Sequence, residues 1–147
     1  MTVERVAEAD LTELLPLMRA YCDFYEVAPS DEALLALSRA LIADPEREGV
    51  QLVAREEDRA VGFATIFWSW ATTSAERIGV MNGLFVAPEA RGLGVAEALI
   101  EACRAECAAH GAGKLTWQTA PDNAAAIKVY DRVGATREQW LDYWLPV

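Results

Sequence analysis

Apolar side chains recur along this chain with two periods, about 3.6 residues in some stretches and two in others, and each switch marks an element boundary. Thr2 to Ala7 alternates and reads as a short first strand. Asp10 then stands as the cap of a helix in which Leu11, Leu14, Leu15, Met18, Tyr21 and Cys22 return at helical spacing. Pro29-Ser30-Asp31 closes that unit and caps a second helix carrying Leu34, Leu35, Leu37, Leu41 and Ile42, which stops near Asp44-Pro45. Gln51 to Arg55 and Ala60 to Ala71 read as strands joined by the charged turn Glu56-Glu57-Asp58-Arg59, and a third runs from Arg77 to Val86. A long helix follows from about Gly92 to His110, stopped by Gly111 and Gly113. Leu115 to Thr119 resumes a strand, Asn123 to Val133 forms a short helix ending at Gly134, and Ala135 to Val147 reads as one or two closing strands. The expectation is an α+β architecture, a mostly antiparallel mixed sheet of six to seven strands with helices on both faces.

The junction between the third of these long strands and the long helix carries the strongest chemical signal. It reads Arg91-Gly92-Leu93-Gly94-Val95-Ala96, with two glycines, one arginine and no acid. A turn of this kind, opening directly into a helix, leaves successive N–H groups facing outward and suits an anion, most often a phosphate. Gly92 and Gly94 let a diphosphate approach the backbone and adopt φ values that other residues avoid. The P-loop does not fit, because Val95 and Ala96 stand where it needs Lys and Ser or Thr. The dinucleotide fingerprint does not fit either, since the next strand, from Lys114 to Thr119, carries no acid.

Composition narrows the class. The chain has 147 residues, 53% apolar and 24% charged, which suits one folded domain over 1–147 rather than a disordered segment. A net charge of −10 excludes a nucleic-acid partner, which would need clustered Lys and Arg, and it favours cations, amines among them. No apolar run approaches the roughly 18 to 20 residues of a membrane span, and Met1 to Asp10 is acidic, so a cytoplasmic location and no membrane partner are expected. Cys22, Cys103 and Cys107 lack metal-ligand spacing, His110 is the lone histidine, and no metal is expected.

A second constellation follows the strand Leu115 to Thr119. Asn123, Ala126, Tyr130 and Gly134-Ala135 fit N-x-x-A-x-x-x-Y-x-x-x-G-F/A, and Arg91 to Ala96 fits Q/R-x-x-G-x-G/A. In this order, each after a strand, the two motifs resemble the GCN5-related N-acetyltransferase superfamily over nearly the whole chain. The stretch from Tyr21 to Glu26 and the aromatic strand segment Phe67-Trp68-Ser69-Trp70 resemble, more loosely, its diamine and polyamine acetyltransferase branch.

The resemblance implies acetyl-CoA as cosubstrate and a small-molecule amine as acceptor. It implies that Arg91, Gly92, Leu93, Gly94, Val95, Ala96 and Glu97 surround the diphosphate and that Leu84, Phe85 and Val86 offer backbone groups to the pantetheine arm. Asn123 is a helix cap on its residue type and a cofactor-side partner on the resemblance. Tyr130 is a core residue on its spacing alone and the general acid on the resemblance. Many members carry a glutamate where this chain has Asn82, which leaves water held by Asn82, or an acid from elsewhere such as Glu26, to take the amine proton. Trp68, Trp70, Trp140, Tyr143 and Trp144 read equally as an acceptor pocket or as packing, and the aromatic C-terminus is compatible with a homodimer. Two other readings stand beside the N-acetyltransferase: an acyl-CoA-binding sensor without turnover, and an acyltransferase with a non-amine acceptor.

Overall fold

The computed structural model describes residues Met1–Val147. Its elements are β1 (Thr2–Arg5), α1 (Leu11–Phe24), α2 (Asp31–Ala43), β2 (Gly49–Glu56), β3 (Arg59–Ala71), β4 (Glu76–Val86), α3 (Val95–His110), β5 (Leu115–Thr116) and α4 (Ala124–Arg132), with 3-10 turns at Glu8–Asp10 and Pro88–Ala90. The strands lie in the order β1-β2-β3-β4-β5. Neighbours are antiparallel as far as β4, and β5 joins β4 in parallel.

Two apolar layers sandwich the sheet. Val50, Leu52 and Ala54 of β2 pack with Val95, Leu99, Ile100 and Cys103 of α3 on one face. Val53, Phe63 and Phe85 pack with Leu14, Met18 and Cys22 of α1 and Leu34 of α2 on the other. Strand alternation explains the split, since Leu52 and Val53 must point to opposite sides. In β4 the alternation breaks: Met81, Leu84 and Val86 all lie against the α3 layer although 81 and 84 differ in parity. The ladder accounts for this, because Ala64 pairs with Leu84 while Ile66 pairs with Met81, so Asn82 and Gly83 together oppose Thr65. That bulge re-aims the second half of β4. Gly83 sits in it at φ 136°, a backbone geometry that suits glycine.

A buried polar chain supports the bulge from below. The Ser38 hydroxyl donates to Gln51 Oε1 at 2.7 Å, and Gln51 Nε2 donates to Thr65 Oγ1 at 3.0 Å. All three residues are buried, and each polar side chain has a partner.

Several elements differ from the sequence expectations. The sheet has five strands rather than six to seven, because the segment from Ala135 to Val147 has no ladder within the chain. The strand expected over Leu115 to Thr119 pairs only through Leu115 and Thr116, since the chain then leaves β4. The long helix begins at Val95 rather than Gly92: Gly92 and Gly94 have φ of 78° and 82°, outside the helical region. Asp10 does not cap α1. Its carboxylate accepts from the Ala7 N–H at 2.8 Å and pairs with Arg55 at 2.6 Å, a charge-assisted partner stronger than a helix-end amide. Ser30 does cap α2, accepting from the Ala33 N–H at 3.1 Å.

Candidate functional site

The loop from Arg91 to Gly94 lies at the end of β4 and starts α3. Arg91 donates its N–H to Pro88 and Ala98 donates to Gly94, but the N–H groups from Gly92 through Ala96 bond to no protein oxygen. The next N–H, that of Glu97, faces its own carboxylate. Five successive unengaged donors therefore lie at the positive end of a 16-residue helix dipole. A Cβ built on Gly92 or Gly94 meets nothing within 4 Å, so the space beside these two residues is open. Arg91 is folded back, with Nε donating to the Val86 carbonyl at 2.9 Å and its guanidinium 5.6 Å from the Phe85 ring centre.

Beside this loop the sheet parts. β4 and β5 meet only at Gly79–Leu115 and Val80–Thr116, so past Val80 one edge of β4 has no strand beside it. Leu84, Phe85 and Val86 lie on that stretch, their other edge paired to Ala64, Phe63 and Gly62. Phe85 is buried and faces Phe63 at 6.4 Å, while the Val86 carbonyl is already taken by Arg91. Asn82 stands exposed on the bulge with no side-chain hydrogen bond in the chain, on the stretch where β4 has left β5.

Across the gap stands α4. Asn123 caps it through Oδ1, which accepts from the Ala126 N–H at 3.3 Å. Tyr130 is half-buried and meets Trp117 edge to face at 5.3 Å. Burial raises the Tyr130 phenol pKa above its ordinary value, the nearby Tyr25 adds to the rise, and the Thr119 hydroxyl facing the phenol opposes it. The phenol is thus fully protonated at neutral pH and available as a donor. Arg132, two residues further along α4, pairs with Glu97 at 2.6 Å and ties α4 to the first turn of α3. That contact holds the Glu97 carboxyl below its usual range, its own N–H adding to the effect.

The end of α1 closes the third side. Tyr21 and Tyr25 lie 5.0 Å apart, and burial, with Tyr25 and Tyr130 nearby, pushes the Tyr21 phenol up to about 12. From Tyr21 the rings continue to Phe63 at 5.8 Å and on to Phe85, a run that ends under Arg91. Glu26 follows α1 in an exposed turn at φ 57°. Trp68 lies elsewhere, stacked on His110 at 3.9 Å with its N–H on the Pro45 carbonyl. Cys22, Cys103 and Cys107 are buried free thiols, and burial pushes Cys103 up to about 12.

The structure therefore places Arg91 to Ala96, Leu84 to Val86 and Asn82 along one parted edge, sets Tyr130 against Trp117 and Thr119, leaves Asn123 as the cap of α4, and gives the Glu97 side chain to Arg132. Sequence reasoning missed Thr119, Trp117 and Arg132. Thr119 and Tyr130 meet through a loop and a helix, and no local pattern announces such a pair.

The model of the acetyltransferase (GNAT) family matches residues 14–135. The uncharacterized N-acetyltransferase YhfO of Bacillus subtilis (strain 168) is 30% identical over 134 residues, spanning 91% of this chain and 89% of that protein. Among solved structures, one described as a probable acetyltransferase is 30% identical, covers 100% of this chain and 98% of its own, and superposes with a TM-score of 0.81. AAC(6')-Iy, solved with the bisubstrate analog CoA-S-monomethyl-acetylneamine, is 19% identical, covers 99% of this chain and 97% of its own, and gives a TM-score of 0.87, a likeness of fold.

Proposed function

The chain belongs to the acetyltransferase (GNAT) family, and from that premise we propose that it moves the acetyl group of acetyl-CoA onto a primary amine of a small cationic molecule, by direct attack in a ternary complex. The observation that carries this reading is the row of unengaged N–H groups from Gly92 to Ala96 beside the parted strands β4 and β5. It fits a diphosphate, which needs several convergent donors and a backbone free of Cβ atoms.

Acetyl-CoA, when bound, supplies an acyl group already activated as a thioester. The N–H groups of Gly92 to Ala96 would hold its diphosphate, and the open edge of β4 at Leu84, Phe85 and Val86 would receive the amides of its arm. A main-chain N–H on that edge would polarise the thioester carbonyl as an oxyanion donor. Tyr130 would pass its proton to the departing sulfur as the C–S bond breaks, and the proton shed by the nitrogen once the C–N bond has formed would return to the Tyr130 phenolate.

The amine must arrive neutral. With a reference pKa of about 10.4, its deprotonation at neutral pH costs roughly 4 kcal/mol. Asn82 cannot accept that proton, so it orders the water that does, with exposed Glu26 as the carboxylate nearest in role. Support for a diamine or polyamine as acceptor comes from the net charge of −10 and the aromatic end of α1 at Tyr21, Phe24 and Tyr25, since ring faces attract cations.

The test is release of free thiol from acetyl-CoA in the presence of diamines, polyamines and aminoglycosides in turn. Amine-dependent release with an acetylated product by mass spectrometry supports the reading. Tight binding of CoA with no release for any amine in the panel would overturn it.

A further inference from the structure

One hydrogen-bond donor in the interior is left over. The buried residues Ser38, Gln51 and Thr65 come from α2, β2 and β3, and Gln51 stands directly opposite Thr65 in the β2–β3 ladder. The Ser38 hydroxyl spends its one hydrogen on Gln51 Oε1 at 2.7 Å. Gln51 Nε2 gives one of its two to Thr65 Oγ1 at 3.0 Å and aims the other at Met18 Sδ at 3.5 Å. A thioether accepts and cannot donate, so Met18 fixes which end of the amide is nitrogen. The chain of bonds therefore has a direction, and it ends on the Thr65 hydroxyl, which accepts from Gln51 and gives its own hydrogen to no protein group. Thr65 is only 3% exposed, and a donor at that depth is costly unless something takes it.

The surroundings of Thr65 name the taker. In the β3–β4 ladder Thr65 stands opposite Asn82 and Gly83 together. A Cβ on Gly83 would lie 3.5 Å from Thr65 Oγ1, so the hydroxyl faces the bulge at its one residue without a side chain. Asn82, beside it, is exposed. On the acetyltransferase reading proposed above, on which this rests, we infer that Thr65 is a positioning residue for the water that takes the amine proton: its spare hydrogen and the Asn82 side chain hold that water between them at the bulge. The water accepts from Thr65 with one lone pair and takes the proton of the substrate ammonium with the other. One hydrogen of the water then passes to solvent, and the Thr65 O–H keeps its own throughout. Gln51 sets the direction of that O–H, because its Nε2 occupies the side of Oγ1 turned away from the bulge.

Two variants separate position from stability. Thr65→Val strands the Gln51 amide, whereas the triple variant Ser38→Ala, Gln51→Leu, Thr65→Val removes the whole chain of bonds and is expected to recover much of the stability in urea unfolding. Both are expected to lose kcat by on the order of ten- to 100-fold with an unchanged KM for acetyl-CoA, and Thr65→Ser to restore most of the rate. The deficit is expected to narrow between about pH 7 and about pH 9.5, as more of the amine arrives neutral and needs no water to take its proton. A merely structural defect would stay constant over that range. A crystal structure gives a readout free of turnover: a water within hydrogen-bond reach of both Thr65 Oγ1 and the Asn82 side chain is expected in the wild type and not in Thr65→Val. A triple variant with wild-type kcat, a deficit flat with pH, or a Thr65 hydroxyl that donates to the main chain of the bulge instead of to a water would each overturn the inference. A wild type that releases no thiol with any amine sinks the acetyltransferase reading by itself, and the crystal structure still decides the water.

Discussion

Gly94→Val is the sharpest test of the anion cradle. The residue sits at φ 82° with open space where a Cβ would stand, so the substitution acts twice. A β-branched side chain in left-handed backbone costs at least about 1 to 2 kcal/mol. In a domain of this length each kcal/mol lowers Tm by roughly 2 to 4 °C, so the fold should survive with a melting point a few degrees down. On the proposed placement of the diphosphate, the branched group is also expected to crowd the anion held by the Gly92 to Ala96 donors. Losing two charge-assisted hydrogen bonds, at about 1.5 to 3 kcal/mol each, predicts a fall in CoA affinity of about 100-fold or more. Calorimetric titration with CoA measures this, and pantetheine, which lacks the diphosphate, serves as the control. Unchanged CoA affinity in a folded Gly94→Val variant would refute the placement of the diphosphate. So would a loss that falls equally on pantetheine, since that would mean the whole cleft had moved.

Tyr130→Phe should lower kcat while calorimetric CoA affinity stays near the wild-type value; unchanged kcat at saturating substrates removes the acid role. Gln51→Leu strands the buried Ser38 and Thr65 hydroxyls and should destabilise by about 1 to 3 kcal/mol in urea unfolding. The triple variant Ser38→Ala, Gln51→Leu, Thr65→Val should recover much of that loss, and equal instability in both would show that the network is not the cause. Arg132→Met tests the Glu97 tie. Because the Glu97 pKa is lowered in the fold, its contribution is present above the ordinary carboxylate value of 4.5 and disappears as pH falls through the depressed one. The wild type should therefore lose more Tm than Arg132→Met between about pH 6 and pH 3, and parallel acid limbs would contradict the tie.

What the sequence disclosed of this fold divides along a physical line. Gly92 and Gly94 were legible because a positive φ and an open approach are demands on one residue at a time, and glycine answers both. The cap at Ser30 was legible for the same reason. Asp10 has the same capping chemistry and was misread, since Arg55 competes for its carboxylate from 45 residues away and a charged donor outbids an amide. The bulge at Asn82–Gly83 belongs to the pairing of β4 with β3; its one local mark is that Asn82 and Gly83 interrupt the apolar run from Ile78 to Val86, a break that does not fix the register. Yet the bulge decides the chemistry, because it places Asn82 on the exposed face and sends Leu84 and Val86 toward α3. The C-terminus takes this dependence one step further. Its apolar pattern reads as closing strands over Ala135 to Val147, yet the segment has no ladder, because a strand is defined by its neighbour and no residue inside a segment can specify one.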